Sequence, residues 1–165
     1  MKRSTAPGIA VGGMIATLYV VLTYLANAFG LASGAIQVRI SEALTILPVF
    51  TPVAIPSLTV GCVLANLLTG CLPWDIVFGS LATLIGAAGT RMLRRNPYAA
   101  WIPPVISNMV IVPFVLQRVY GVPEAWWYLA LTVGLGEVIS CGVLGLLLYH
   151  AANRIPQIKN TLVNT

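Results

Sequence analysis

The sequence predicts an all-α integral membrane protein: six transmembrane helices in one bundle, with both termini on the cytoplasmic side. Three observations predict it. Hydrophobic residues make up 58% of the 165 and charged residues only 8%, with a mean hydropathy of +0.91; a water-soluble surface needs about 25% charged residues. Several apolar runs reach the roughly 17 to 25 residues that cross a hydrocarbon core of about 30 Å at 1.5 Å per residue. The basic residues are distributed very unevenly among the connections between those runs.

The first run, over 7–29, follows the basic start "MKRSTAPG". It is far longer than a signal-peptide core of about 7 to 15 residues, so it reads as a retained helix. The second run, 41–53, is short for a crossing and has to tilt, re-enter or be shielded by its neighbours. Pro52 and Pro56 punctuate its junction with the third run, 55–71, leaving too little chain for a separate domain. The remaining spans cover 75–92, 99–120 and 125–150. Residues 1–165 thus read as a single membrane domain.

With a cytoplasmic N-terminus and six spans, Lys2, Arg3, Arg91, Arg94, Arg95, Arg154 and Lys159 fall inside, and only Arg39 and Arg118 fall outside. That is the bias that orients membrane proteins. The net charge of +5 is therefore an insertion signal. "RMLRR" reads as one short cytoplasmic loop, not a nucleic-acid patch.

On this topology Glu42 opens the second span from the outer side, Asn66 lies near the outer end of the third, and Asp75 opens the fourth. Asn108 and Glu137 lie nearer mid-membrane on the fifth and sixth. A carboxylate at that depth costs about 2.5–3.5 kcal/mol, so it faces the bundle interior and marks a functional site. Each residue also has a plainer reading. The two asparagines could simply bond between helices, and Glu137 could be a structural partner of Arg39. Convergence of amides and carboxylates from five segments favours a site. Trp126 and Trp127 read as an interfacial aromatic belt; Trp74, beside Asp75, is the better ligand candidate. On a helix Arg39 and Glu42 share a face at i and i+3. With Gln37 they form a polar rim, either a local ion pair or the wall of a solute pocket open to the outside.

Other chemistry finds no support. Cys62, Cys71 and Cys141 are odd in number and lack CxxC spacing, so they read as small apolar fillers rather than a disulfide or metal site. His150 sits where it would cap a helix C-terminus. No Ser/His/Asp set, HExxH or GxxxxGK[ST] occurs. The reading is of a protein that is not an enzyme, with no metal and no P-loop for ATP.

The segments "QVRISEALTILP", "LAN", "DIVFGSLATL", "SNMV" and "VGLGE" occur in this order from Gln37 to Glu137. In order and spacing the chain resembles the queuosine-precursor transporter family from Gly8 to Arg154. These are the substrate-binding S components of energy-coupling factor (ECF) importers. The resemblance implies an S-component-like six-helix subunit in the plasma membrane of a prokaryote. It would capture a 7-deazaguanine outside and deliver it through a module of one coupling transmembrane protein and two ATPases. ATP would be used by those partners, with no cofactor in this chain. Such subunits dock on the coupling protein through an AxxxA pair on the first helix. The matching positions here are Gly13 and Thr17, with Gly12 and Ala16 beside them, all small enough for close packing.

The candidate residues suit such a solute in their own right. A guanine-like edge offers a ring N–H and an amine, two donors that one carboxylate accepts together; Glu137 or Glu42 fits. A second carboxylate, Asp75 or the remaining glutamate, would pair with an aminomethyl cation if the ligand has one. Asn66 and Asn108 serve donors and acceptors alike, and Trp74 could stack on the ring. The alternative is a self-sufficient proton-coupled secondary transporter with Glu137 or Glu42 as the coupling group; its expected inverted repeats with broken helices are not visible.

Overall fold

The structure, a computed structural model, describes residues 5–31, 37–163 and 165; Lys2 and Arg3 lie outside the described residues. All regular structure among these residues is helical. Helix α1 spans Thr5–Ala28, a 3₁₀ helix Ile40–Val49, α2 Ala54–Leu68, α3 Pro73–Met92 and α4 Ile102–Arg118. Helix α5 (Trp126–Glu137) runs without a break through a π-helical turn, Val138–Leu144, into α6 (Gly145–Arg154), and α7 (Pro156–Val163) follows. Two helices, Ala6–Ala28 and Trp126–Arg154, are long and apolar enough to cross a membrane unaided.

Local chemistry sets the boundaries. Gly70, at φ 75°, ends α2; its left-handed conformation lets Cys71 N–H bond back to the Asn66 carbonyl at 3.0 Å. Pro73 opens α3 where its missing N–H costs nothing, and Asp75 sits in the first turn, against the positive end of the helix dipole.

Helices α1 to α5 pack in sequence order, and the 3₁₀ helix lies among α1, α2, α3 and α6. Every residue from Ser41 to Pro48 is buried. This resolves the short second run: it is shielded, so it meets protein rather than lipid. Ten residues at about 2.0 Å rise cover about 20 Å, a third more than an α-helix of equal length. Pro48 cannot donate to an α ladder, whereas i→i−3 bonds such as Glu42 N–H to the Arg39 carbonyl (2.9 Å) hold the tighter coil. The amphipathic α7 is an element the hydropathy reading did not anticipate.

Helix α1 turns Val11, Ile15, Tyr19 and Ala26 inward, at the spacing of one helix face. Gly12 also faces inward: a Cβ there would meet Ser57 Oγ at 2.8 Å. Gly13 has open space beside it, and Thr17 is exposed. Opposite, a Cβ on Gly61 would lie 2.9 Å from Tyr19 Cβ and 3.1 Å from the Ala16 carbonyl, so α1 and α2 touch backbone to backbone. Gly61→Leu should therefore lower stability by about 1–3 kcal/mol through overpacking, read as a reduced melting temperature in detergent. Gly13→Leu should melt within about 0.5 kcal/mol of the parent. Equal melting of both variants would show that α1 and α2 are not held at this distance.

Candidate functional site

The polar residues inside this apolar bundle collect around the first turn of the 3₁₀ helix. Glu42 is 1% exposed and Glu137, on the last turn of α5, 4%. With Cys141 they place one donor atom each within 4.8 Å of one another. Tyr19 reaches across from α1, 2% exposed, and its hydroxyl donates to Glu42 Oε1. The Cys141 thiol donates to Glu137 Oε2 at 3.2 Å, and Thr45 Oγ1 donates to the Glu42 carbonyl at 2.6 Å. Asn108, 3% exposed on α4, faces Glu137. The fields of both carboxylates are felt by Arg39. Glu42 Oε2 remains buried without a hydrogen-bond partner among the described residues, as does Ser80 Oγ. An unfilled carboxylate oxygen in such surroundings is costly unless something else supplies a donor.

The π turn explains how the segment before Glu42 is held. The Arg39 backbone N–H donates to Ser140 Oγ at 3.1 Å, and that hydroxyl donates to the Gly136 carbonyl at 2.9 Å. Gly136 is needed for this approach, because a Cβ there would collide with the Gln37 carbonyl oxygen. Residues Gln37 to Arg39 thus lie directly on the helix that carries Glu137.

A cavity of about 150 Å³ is lined among others by Tyr19, Thr23, Gln37, Arg39, Asn66 and Thr69; Glu42 adjoins it through Tyr19, and neither glutamate lines it. Of the residues selected from the sequence, Gln37, Arg39 and Asn66 line the cavity, and Glu42, Asn108 and Glu137 form the buried cluster. Asp75 and Trp74 do not join them. Asp75 Oδ2 accepts from Tyr120 at 2.8 Å. Trp74 is 62% exposed and stacks on Phe78 with ring centroids 6.1 Å apart. As the first turn of α3 is built, its indole points away from the bundle.

All three cysteines are free, yet they are more than fillers. Cys62 accepts from Asn66 at 3.7 Å, Cys71 lines the cavity, and Cys141 could join the two glutamates in holding a cation. Sequence reasoning missed Tyr19, Thr45, Ser140 and Cys141. Part of the signal was present: Thr45 follows Glu42 by three residues and Cys141 follows Glu137 by four, spacings that share a helix face. A tyrosine inside an apolar helix also needs a partner for its hydroxyl.

A family model described as "QueT transporter" matches residues 9–154, which include every residue of this cluster. The chain belongs to the QueT transporter family. It is similar to the "Queuosine precursor transporter QueT" of Lactococcus lactis subsp. cremoris (strain MG1363), at 35% identity over 86 residues. That match spans 52% of this chain and 50% of the relative. No solved structure matches the chain significantly. For this QueT-family chain the seating of Gln37 on Gly136 makes a direct test. Gly136→Ala should lift the 37–39 segment and weaken ligand binding by about 1–3 kcal/mol, measured by calorimetry on the folded protein in detergent. Unaltered affinity would detach the segment from the site.

Proposed function

We propose that this chain is the solute-binding S component of an ATP-driven ECF-type importer that takes up a queuosine precursor of the 7-deazaguanine class. In this reading it crosses the plasma membrane six times with both termini inside, and the cavity opens outward. The observation that carries it is the pair of buried carboxylates joined through Tyr19 to a small polar cavity in a chain of the QueT transporter family. Membership in a transporter family speaks for carriage rather than catalysis, and the name of the Lactococcus relative supports the solute class.

The chemistry fits. Glu137, with its second oxygen held by Cys141, accepts the ring N–H and exocyclic amine of a guanine-like edge, while Asn108, Asn66 and Gln37 satisfy the remaining polar atoms. A cavity of about 150 Å³ is the size that holds one benzene ring. A fused two-ring base already exceeds that, and a ribose would add to the excess, which favours the base over its nucleoside. Arg39 offsets part of the negative charge, so an anionic solute is disfavoured. The energy source is a partner module of two ATPases and a coupling protein, in keeping with the lack of a P-loop motif in the sequence. The outward-facing Gly13 and Thr17, not the inward Gly12, are the positions through which α1 would dock on that module.

Two measurements test the reading. Glu137→Gln should weaken binding of a 7-deazaguanine by about 1–3 kcal/mol, because an extra donor replaces a charged acceptor; full affinity in calorimetry removes Glu137 from the site. In proteoliposomes, uptake should require the ATPase module and ATP, and Gly13→Leu should abolish it while leaving solute binding intact. Concentrative uptake by this chain alone, driven by a proton gradient, would instead establish a secondary transporter.

A further inference from the structure

The amphipathic helix α7 does not seat flush on the bundle. Its backbone packs against α6, and the chain just after it is tied down where Thr165 Oγ1 donates to Thr51 Oγ1 at 3.2 Å. Leu162, the residue that α7 buries, joins the apolar cluster of Val11, Ile15, Leu44 and Leu47. Between these anchors α7 leaves a slot of about 440 Å³ against α1. Its walls are almost wholly apolar: Ile15 from α1, Leu47 from the 3₁₀ helix, Leu148 from α6 and Leu162 from α7. Met14 and Ile158 also line it and are 56% and 44% exposed, so the slot is open along one side.

The charge around this slot is one-sided. Helix α6 ends on Arg154 and α7 carries Lys159, both exposed. Arg91, Arg94 and Arg95 lie where α3 finishes at the same end of the bundle, with Arg91 on the Pro48 and Val49 carbonyls. None of the chain's four acids is there: Asp75 opens α3 at its other end, Glu124 precedes α5, Glu42 lies in the first turn of the 3₁₀ helix and Glu137 precedes the π turn. An apolar slot and an unopposed basic rim are separate observations. Together they describe the complement of an amphiphile with an anionic head.

We propose that the slot between α1 and α7 receives one acyl chain of an anionic phospholipid, with its phosphate held by Arg154 and Lys159. Gln157, which lines the slot, brings an amide donor to the same end of α7. Volume favours a hydrocarbon chain over a helix. The slot has about three times the volume of a void that takes up benzene, room for about a dozen or more carbons. A partner helix about 10 to 12 Å across would fit barely one turn into it. Basic pockets between membrane helices bind anionic headgroups, and an amphipathic helix in the interface sets its cations beside lipid phosphates. The proposal does not depend on which solute the chain carries.

The test uses the purified full chain in detergent, stripped of lipid, with phosphatidylglycerol and phosphatidylcholine of identical dioleoyl chains, and with glycerol 3-phosphate as a head without a chain. Native mass spectrometry should show one phosphatidylglycerol retained per chain, about 10-fold or more tighter than phosphatidylcholine, and no glycerol phosphate. Arg154→Gln and Lys159→Gln should each weaken phosphatidylglycerol by about fivefold and leave phosphatidylcholine as it was. Thr161→Phe, which fills the slot from α7, should lower retention of both lipids by about tenfold while solute affinity stays the same. If that variant fails to fold, Met14→Trp fills the slot from α1 and decides the same point. Equal retention of the two lipids, or of glycerol phosphate alone, overturns the assignment of an anionic lipid. Retention that survives the slot-filling variants overturns the slot. A chain that keeps no lipid overturns the proposal outright, and a dimer mass in that sample makes a second copy the occupant.

Discussion

The hydrogen bond from Tyr19 to Glu42 joins α1 to the central 3₁₀ helix at a depth where water is excluded, and the surrounding architecture follows from having to bury that carboxylate. A lone charge among leucines would be expelled or neutralised. Here the carboxylate accepts from a phenol of α1 and lies near the arginine just before the 3₁₀ helix, while the neighbouring Glu137 is met by an amide of α4 and a thiol of the π turn. Each depends on its element lying at a particular height and rotation, so the cluster specifies how the bundle assembles. The π turn fits this demand. It follows Glu137 immediately, and its altered winding brings both Ser140 and Cys141 to the 3₁₀ side. Such insertions are common at functional sites.

The apolar contacts supply closeness rather than chemistry. In lipid, helices gain little from burying leucine, and association relies on small residues that admit tight packing. Gly61 brings α2 against Ala16 and Tyr19, Gly86 brings α3 to within 2.7 Å (as a Cβ would measure it) of Pro104 Cα on α4, and Gly136 admits the Gln37 carbonyl. The first contact seats Tyr19 against α2, and from there its hydroxyl reaches Glu42.

How much of this was legible in the sequence follows from the kind of signal each feature leaves. Hydropathy reports long apolar runs, so the all-helical bundle was readable. It reports neither helix type nor what surrounds a run, so the 3₁₀ winding of Ile40–Val49 and its complete enclosure became visible only through packing. Carboxylates in apolar segments are conspicuous, and Glu42 and Glu137 stood out for that reason. Their neutral partners did not, because Tyr19, Ser140 and Cys141 are ordinary membrane-helix residues until a carboxylate is brought beside them. Trp74 shows the converse. Adjacency to Asp75 in sequence suggested a shared site, but successive helix residues point about 100° apart, and the indole lies outside the bundle while Asp75 turns toward Tyr120.

Arg91 shows how one residue serves two ends of the argument. In sequence it counts only toward the basic loop that orients the chain. In the fold its Nη1 donates to the Pro48 and Val49 carbonyls at 3.0 and 3.2 Å, satisfying backbone acceptors that the end of the 3₁₀ helix leaves free. The ten-residue element is therefore gripped by charged side chains at both ends, through Glu42 in its first turn and through Arg91 at its last. Everything from Ser41 to Pro48 is enclosed, and close-packed interiors do not deform continuously. Glu42 and the carbonyls held by Arg91 therefore lie at the two ends of one short, enclosed rod, and the same brevity that keeps it from spanning a membrane lets its neighbours cover it.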